Sequence, residues 1–434
     1  MSSKLLIIEA AALGYDLLRR HGLQEMAGLT FQPAETVFPA VTCTVQASFR
    51  TAGAPAVHGM ISNGLFHRDL RKVTFWEQSA RLVAGERIWS PLRRRGGTVG
   101  MLFFQQSMGE AVDLLLTPAP IHKHHGGMIE DCYGRPDDLH ARLCRTGPMR
   151  PFKLRTYWGP LAGDSAGTWI SEAIRLILGD EQLAPDVLLA YLPTLDYDLQ
   201  RHGPDGRKAA AALASLAGQI DHVLSAARQR GYEVIVFGDY AMAEVTQPAS
   251  LPNLALLESG LLRARPVRGM LYADLHESRA FALVDHEVAH VYVREPGDVG
   301  AARRVLREAP GVAEVLDAEE IAARGVRHPN AGELMLVAEE GSWLAYPWWT
   351  QKREAPDYAR HVDIHNKPGY DPCELFFGWP PMSVSLDTSR VRGTHGRAGS
   401  GRRVAWASTV ELDPAPATLL DLAATVKHML DEEE

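Results

Sequence analysis

A hydroxyl placed where an extended segment turns into a helix lies beside unpaired backbone N–H groups and the positive end of the helix dipole. That setting suits an attacking or transferring anion. Thr42 and Thr44 occupy such a place. Phe38-Pro39 is held extended, because a residue before proline is pushed out of the helical region. The small-residue run Ala40-Val41-Thr42-Cys43-Thr44 then enters a short helical pattern, which Gly53, Pro55 and Gly59 break into loops. Either threonine would serve there as a nucleophile or as an ordinary N-cap. Glu9 closes the apolar run Leu5-Leu6-Ile7-Ile8, at the edge where open α/β sheets collect ligands, although an acid there also suits a helix start. Asp363 and His365 stand two apart, and side chains at that spacing share a face only in an extended segment. His122, His124 and His125 crowd one loop, either as metal ligands or as polar groups at a pocket mouth.

Residues 5–8, 99–104, 187–190 and 234–237 form apolar runs of strand length that alternate with helical patterns, among them 208–230. Such alternation predicts an α/β fold: a largely parallel central sheet with helices on both faces. Residues 255–370 have a different texture, with a hairpin-like pair at 280–284 and 290–293, a short helix and a strand. They read as an inserted α+β cap or lid, leaving 1–254 and 371–434 as the core. Trp343, Tyr346, Trp348 and Trp349 within it are lid core or a slot for a flat group.

Composition narrows the function classes. With 434 residues and 46% hydrophobic content the chain has ample material for a core, and its net charge of −8 argues against a nucleic-acid polymer as partner. The four cysteines, at 43, 132, 144 and 373, lack CxxC spacing, which suits a reducing compartment. Neither a charged-then-apolar leader nor a membrane-length apolar run is present, so the expectation is a cytoplasmic protein without a membrane partner. Nothing in the sequence sets an oligomeric state.

The frame Pro39, Thr42, Thr51, Gly53, Pro55, His58, Gly59 and Asn63 resembles the nucleophile region of the nucleotide pyrophosphatase/phosphodiesterase branch of the alkaline phosphatase superfamily, with Ala52 inserted before the glycine. A bacterial subgroup of that branch is more similar still. It shares the run from Pro39 to Gln46 and the later Val362-Asp363-Ile364-His365 and 367–372 runs, over nearly the whole chain. The resemblance implies an alkaline phosphatase-like fold and Thr42 as the nucleophile. It further implies Glu9, Thr42, Asp196, Asp239 and His395 as ligands of one or two divalent ions, zinc, manganese or magnesium. Asn63 and Tyr240 would contact a small-molecule phosphate or phosphonate ester. Gln200 and Tyr240 stand where the family has histidines, and Glu9 where it has aspartate, so Asp363 or His365 is expected to compensate as a ligand. A metal-dependent hydrolase is therefore the first expectation, and a binding protein of the same fold that has lost turnover the second.

Overall fold

Residues 4–125, 127–146 and 149–431 are described by the computed structural model. Lys4–Ala10 (β1) is an almost unbroken aliphatic run, buried on both faces beyond Lys4, as a central parallel strand requires. Six further strands with ranges Gln32–Ala34 (β2), Val99–Leu102 (β3), Leu114–Pro118 (β4), Cys132–Arg135 (β5), Val187–Leu192 (β6) and Tyr232–Gly238 (β7) join it, together with Val404–Ser408. The eight-stranded order is β5-β4-β3-β6-β1-β7, then Val404–Ser408, then β2. The five central strands from β4 to β7 run parallel, and the outer pairings are antiparallel. All four apolar runs singled out in the sequence are thus strands of one sheet. β3 stops at Leu102 rather than 104 because Phe103 takes a positive φ of 62°.

Thr42–Thr51 (α1) leans on the sheet through Phe49, whose ring stacks on Phe237 of β7 at 4.3 Å. Asp164–Gly179 (α2), Thr194–His202 (α3) and Arg207–Gln229 (α4) pack as a layer in which α4 buries Leu213, Leu216, Ile220 and Leu224, a three-and-four repeat of one apolar face. Among the described residues no helix is long and apolar enough to cross a membrane.

A separate four-stranded antiparallel sheet is built from Ala280–Asp285 (β8), Val288–Val293 (β9), Val312–Leu316 (β10) and Leu334–Ala338 (β11), in the order β8-β9-β11-β10. It has its own apolar core. That core takes in Phe66 and Phe75 from an earlier hairpin, Gly64–His67 with Lys72–Phe75. Phe66 meets Phe281 edge-on at 4.7 Å. Tyr346, Trp348 and Trp349 lie in the same core, ring against ring at 5.2–6.1 Å. They are therefore packing residues rather than a slot. The turn joining β8 to β9 reaches back to the larger sheet: the Glu287 N–H donates to the His395 carbonyl, and the Glu287 carboxylate holds the buried Arg402 at 2.8 Å. Gly396 allows this approach, because a Cβ there would lie 3.1 Å from the Glu287 nitrogen and its φ of 129° disfavours other residues.

Candidate active site

The chain enters α1 with Val41 as the extended N-cap, so Thr42 is the first helical residue and neither threonine caps the helix. The capping role passes to Asn63, whose Oδ1 accepts from the Cys43 N–H at 2.9 Å. Thr44 is buried with its hydroxyl unpaired. The Thr42 hydroxyl is engaged by no hydrogen bond among the described residues, and the side chain lines a cavity of about 610 Å³. Asp196, Tyr240, His286 and His395 line the same cavity, each brought there by a different segment.

Asp196 sits at the start of α3, just past the end of β6, with both oxygens occupied. Gln200 Nε2, one helical turn on, donates to Oδ2 at 2.7 Å, and the Tyr240 hydroxyl donates to Oδ1 at 2.8 Å. The Tyr370 hydroxyl completes the chain by donating to Gln200 Oε1. Burial raises the Asp196 pKa, and the two donors oppose that rise. The Tyr240 ring lies flat on His395, with centroids 3.4 Å apart and planes within 2°. His395 donates through Nδ1 to the Ala40 carbonyl at 2.8 Å, and burial beside His286 keeps the imidazole neutral by lowering its pKa.

Glu9 and Asp239, at the ends of the neighbouring strands β1 and β7, are fully buried and are not among the residues lining this cavity. Asp239 Oδ1 accepts from the Ala12 and Tyr240 N–H groups, while Oδ2 has no partner. Neither Glu9 oxygen has a partner, although Gln46 and Arg50 of α1 approach closely enough to lower its pKa. Burial first, and then the facing Asp239 charge, push Glu9 well above the ordinary carboxylate range. Burial raises Asp239 likewise. Three unsatisfied carboxylate oxygens in a dry site are what a bound cation would resolve.

These donors decide how a metal fits. The Glu9–Asp239 pair supplies oxygen donors and suits one hard divalent cation, magnesium or manganese, better than zinc. The Asp196 side does not fit in its present arrangement, because both carboxylate oxygens already accept from Gln200 and Tyr240. Among the described residues no group of three or more His, Cys, Asp or Glu side chains is arranged to hold a metal ion.

Asp363 and His365 line the cavity mouth from a turn rather than an extended segment. Asp363 accepts from the Asn366 backbone and side chain, and His365 Nδ1 lies 2.9 Å from the Phe75 carbonyl. His122 also borders the mouth; His124 and His125 are exposed, their rings 4.6 Å apart. Asn63 does not line the cavity. Its Nδ2 is spent on Asp285 Oδ1 at 3.0 Å.

The imidazole that stands beside His395 is not His365, the histidine expected to compensate. It is His286, from the turn after β8, with ring centroids 3.7 Å from both His395 and Tyr370. His286 Nδ1 donates to Asp285 Oδ1 at 2.8 Å, which leaves Nε2 buried and unpartnered. Asp285 is fixed in turn by the Ser62 hydroxyl and the Asn63 N–H at 2.8 and 2.7 Å. His286 adopts φ 61°, a left-handed backbone that histidine tolerates better than most residues. The one sequence signal for it is the Asp-His pair at the tip of a hairpin.

Residues 5–371 match a family model described as type I phosphodiesterase/nucleotide pyrophosphatase. No curated protein matches the sequence. Among solved structures, phosphonoacetate hydrolase from Sinorhizobium meliloti 1021, in complex with phosphonoformate, is similar with a TM-score of 0.65 at 15% identity, over 99% of this chain and 95% of that one. Human ectonucleotide pyrophosphatase/phosphodiesterase 5 is similar with a TM-score of 0.61 at 14% identity and the same coverage of both chains. An inactive variant of the murine protein, solved in complex with AMP, has a TM-score of 0.60 at 13% identity, covering 99% of this chain and 95% of its own. At these identities the likeness speaks for an alkaline phosphatase-like fold.

Proposed function

The chain belongs to the type I phosphodiesterase/nucleotide pyrophosphatase family, hydrolases of the alkaline phosphatase superfamily, and from that premise we propose that Thr42 is the nucleophile that opens a small-molecule phosphate or phosphonate ester. The observation that carries this reading is the free Thr42 hydroxyl at the head of α1, facing the cavity shared with Asp196, His286 and His395. In the first half-reaction Thr42 Oγ1 bonds to phosphorus, the bond to the leaving oxygen breaks, and the Thr42 proton leaves the site as the alcohol departs. In the second, water cleaves the phosphoryl-threonine ester and restores the hydroxyl. The backbone N–H groups that open α1 and its dipole favour the negative charge that grows on the phosphoryl oxygens.

His286 is the proton carrier in this scheme. Asp285 holds the proton on Nδ1, so Nε2 keeps its lone pair toward the cavity, able to take a proton and return it to the leaving oxygen. Glu9 and Asp239, with the Thr42 hydroxyl, would hold one magnesium or manganese ion, and such an ion supplies positive charge where the nucleophile must ionise. Asn63 acts through Asp285 and the start of α1 as a positioning residue. Residues 255–370 are the lid that brings His286 to the site.

Thr42→Ala should abolish hydrolysis of an aryl phosphodiester panel, while Thr42→Ser retains part of it. Undiminished activity of Thr42→Ala would refute the assignment. His286→Gln should lower kcat about 100-fold, within the usual range for a general acid–base residue, with little change in KM. An unchanged kcat would remove His286 from the reaction. One observation favours the second reading, a binding protein without turnover: Gln200 and Tyr240 engage both oxygens of Asp196. Wild type that binds an aryl phosphodiester but turns none over, with either ion supplied, would establish it.

A further inference from the structure

A site that handles polyanions is normally furnished with arginine or lysine, because each buried negative charge needs a partner. Among the described residues, those lining the Thr42 cavity include no lysine and no arginine. Besides five histidines, their titratable side chains include the acids Asp196 inside and Asp357 and Asp363 at the mouth. Two basic groups of the surrounding segments are committed elsewhere. Arg201 donates to the carbonyls of Leu375, Ala162 and Gly159, and Lys367 is buried between Asp371 and Glu374 at 2.8 and 2.7 Å. What the cavity does offer is ring surface. Trp76 and Trp158 flank Tyr370 at 6.4 and 5.8 Å, with Tyr157 and Tyr358 beside them.

From this we infer that the substrate is a singly charged ester, a phosphodiester or a phosphonate monoester, whose second substituent is a flat aromatic group carrying no further negative charge. The inference rests on the reading of this cavity as the hydrolytic site. One cation, which Glu9 and Asp239 would hold, would match one charge on the reacting phosphorus group. A second or third charge, as in a nucleoside triphosphate or an aryl phosphate monoester, would find no lysine or arginine among the described lining residues and would meet aromatic faces, imidazoles and the acids of the mouth. Flat substituents gain by stacking on those same rings, at about 0.5–1.5 kcal/mol per ring pair beyond the area buried.

The test compares p-nitrophenyl phenylphosphonate and bis(p-nitrophenyl) phosphate with ATP and p-nitrophenyl phosphate, a doubly charged ester with the same leaving group, using wild type supplied with magnesium or manganese. The expected result is a kcat/KM at least about 100-fold higher for the two singly charged esters than for the two polyanions, the loss of one unpaired buried charge corresponding to several kcal/mol. Comparable or better hydrolysis of ATP or p-nitrophenyl phosphate would overturn the inference. If none of the four is hydrolysed, the hydrolytic reading fails, and calorimetric binding of bis(p-nitrophenyl) phosphate against ATP still decides the present point: preference for the diester supports it, preference for ATP overturns it. Met128→Arg, which places a cation at the exposed rim, should improve KM for ATP relative to the singly charged esters at least about fivefold, the scale of one rim charge. An unchanged ratio would mean that missing positive charge is not what discriminates.

Discussion

Glu9 and Asp239 show how residue type and placement divide the work at this site. Both are strand-end acids, and the apolar run before each made them legible in the sequence. The lack of a donor for both Glu9 oxygens and for Asp239 Oδ2 became visible only when β1 and β7 were placed side by side. Because folding raises both carboxyls above their ordinary values, the folded protein binds more protons than the unfolded chain. Stability without a cation therefore falls as pH rises above the ordinary carboxylate range. In metal-stripped protein, Glu9→Gln should raise Tm by about 2–5 °C at pH 7.5 and change it little at pH 4. Added magnesium or manganese should stabilise wild type but not the variant. A Glu9→Gln protein that melts lower at pH 7.5, beside a wild type indifferent to both ions, would contradict this. His286 was the residue the sequence hid. Its role depends on a turn from a separate sheet arriving beside His395, a contact between residues more than a hundred positions apart that local pattern does not encode.

At the level of elements, α1 is the piece on which the site turns, and its ends explain the local sequence. Ala52, the insertion that interrupts the Thr-Gly turn, is the C-cap of α1 in left-handed conformation, φ 49°, with its N–H directed to the carbonyls of Phe49 and Ser48. Glycine adopts that conformation without the Cβ clash. Ala52→Gly should therefore stabilise the protein by about 0.5–1 kcal/mol in denaturant melts, the αL cost of alanine less the extra chain entropy of glycine, and leave turnover unchanged. Destabilisation would show that the Ala52 methyl packs usefully. The long buried strands and α4 were legible because continuous apolar runs and a three-and-four repeat leave few alternatives. The short hairpin at 64–75 was not. Its two four-residue strands are too brief for a periodic signal, and Phe66 and Phe75 find their partners in a sheet more than two hundred residues away.

For the whole molecule, among the described residues the second sheet contributes to the cavity lining through the tip of the β8–β9 hairpin. The core beneath that hairpin must hold it in place, and Phe281, ringed by Phe66 and Tyr292, is central to that core. Phe281→Ala should cost about 3–5 kcal/mol of stability by the cavity it leaves. It should also lower kcat more than it raises KM, because His286 loses its support while the Thr42 side of the cavity is untouched. A strongly destabilised variant with wild-type kcat would show that the hairpin tip is held by its own contacts to His395 and Arg402 alone. The parallel sheet could be read from pattern. The arrival of the β8–β9 turn beside His395 could not, since it depends on which faces pack.

The most direct test of Thr42 catalysis is to quench the wild-type enzyme during turnover of p-nitrophenyl phenylphosphonate and map the covalent adduct by mass spectrometry, alongside the rate of Thr42→Ala. The expected result is a phenylphosphonyl group on the peptide that carries Thr42, and a rate for Thr42→Ala reduced at least about 1,000-fold, as for other nucleophile deletions. Full turnover by Thr42→Ala, with no adduct on that peptide in wild type, would contradict it.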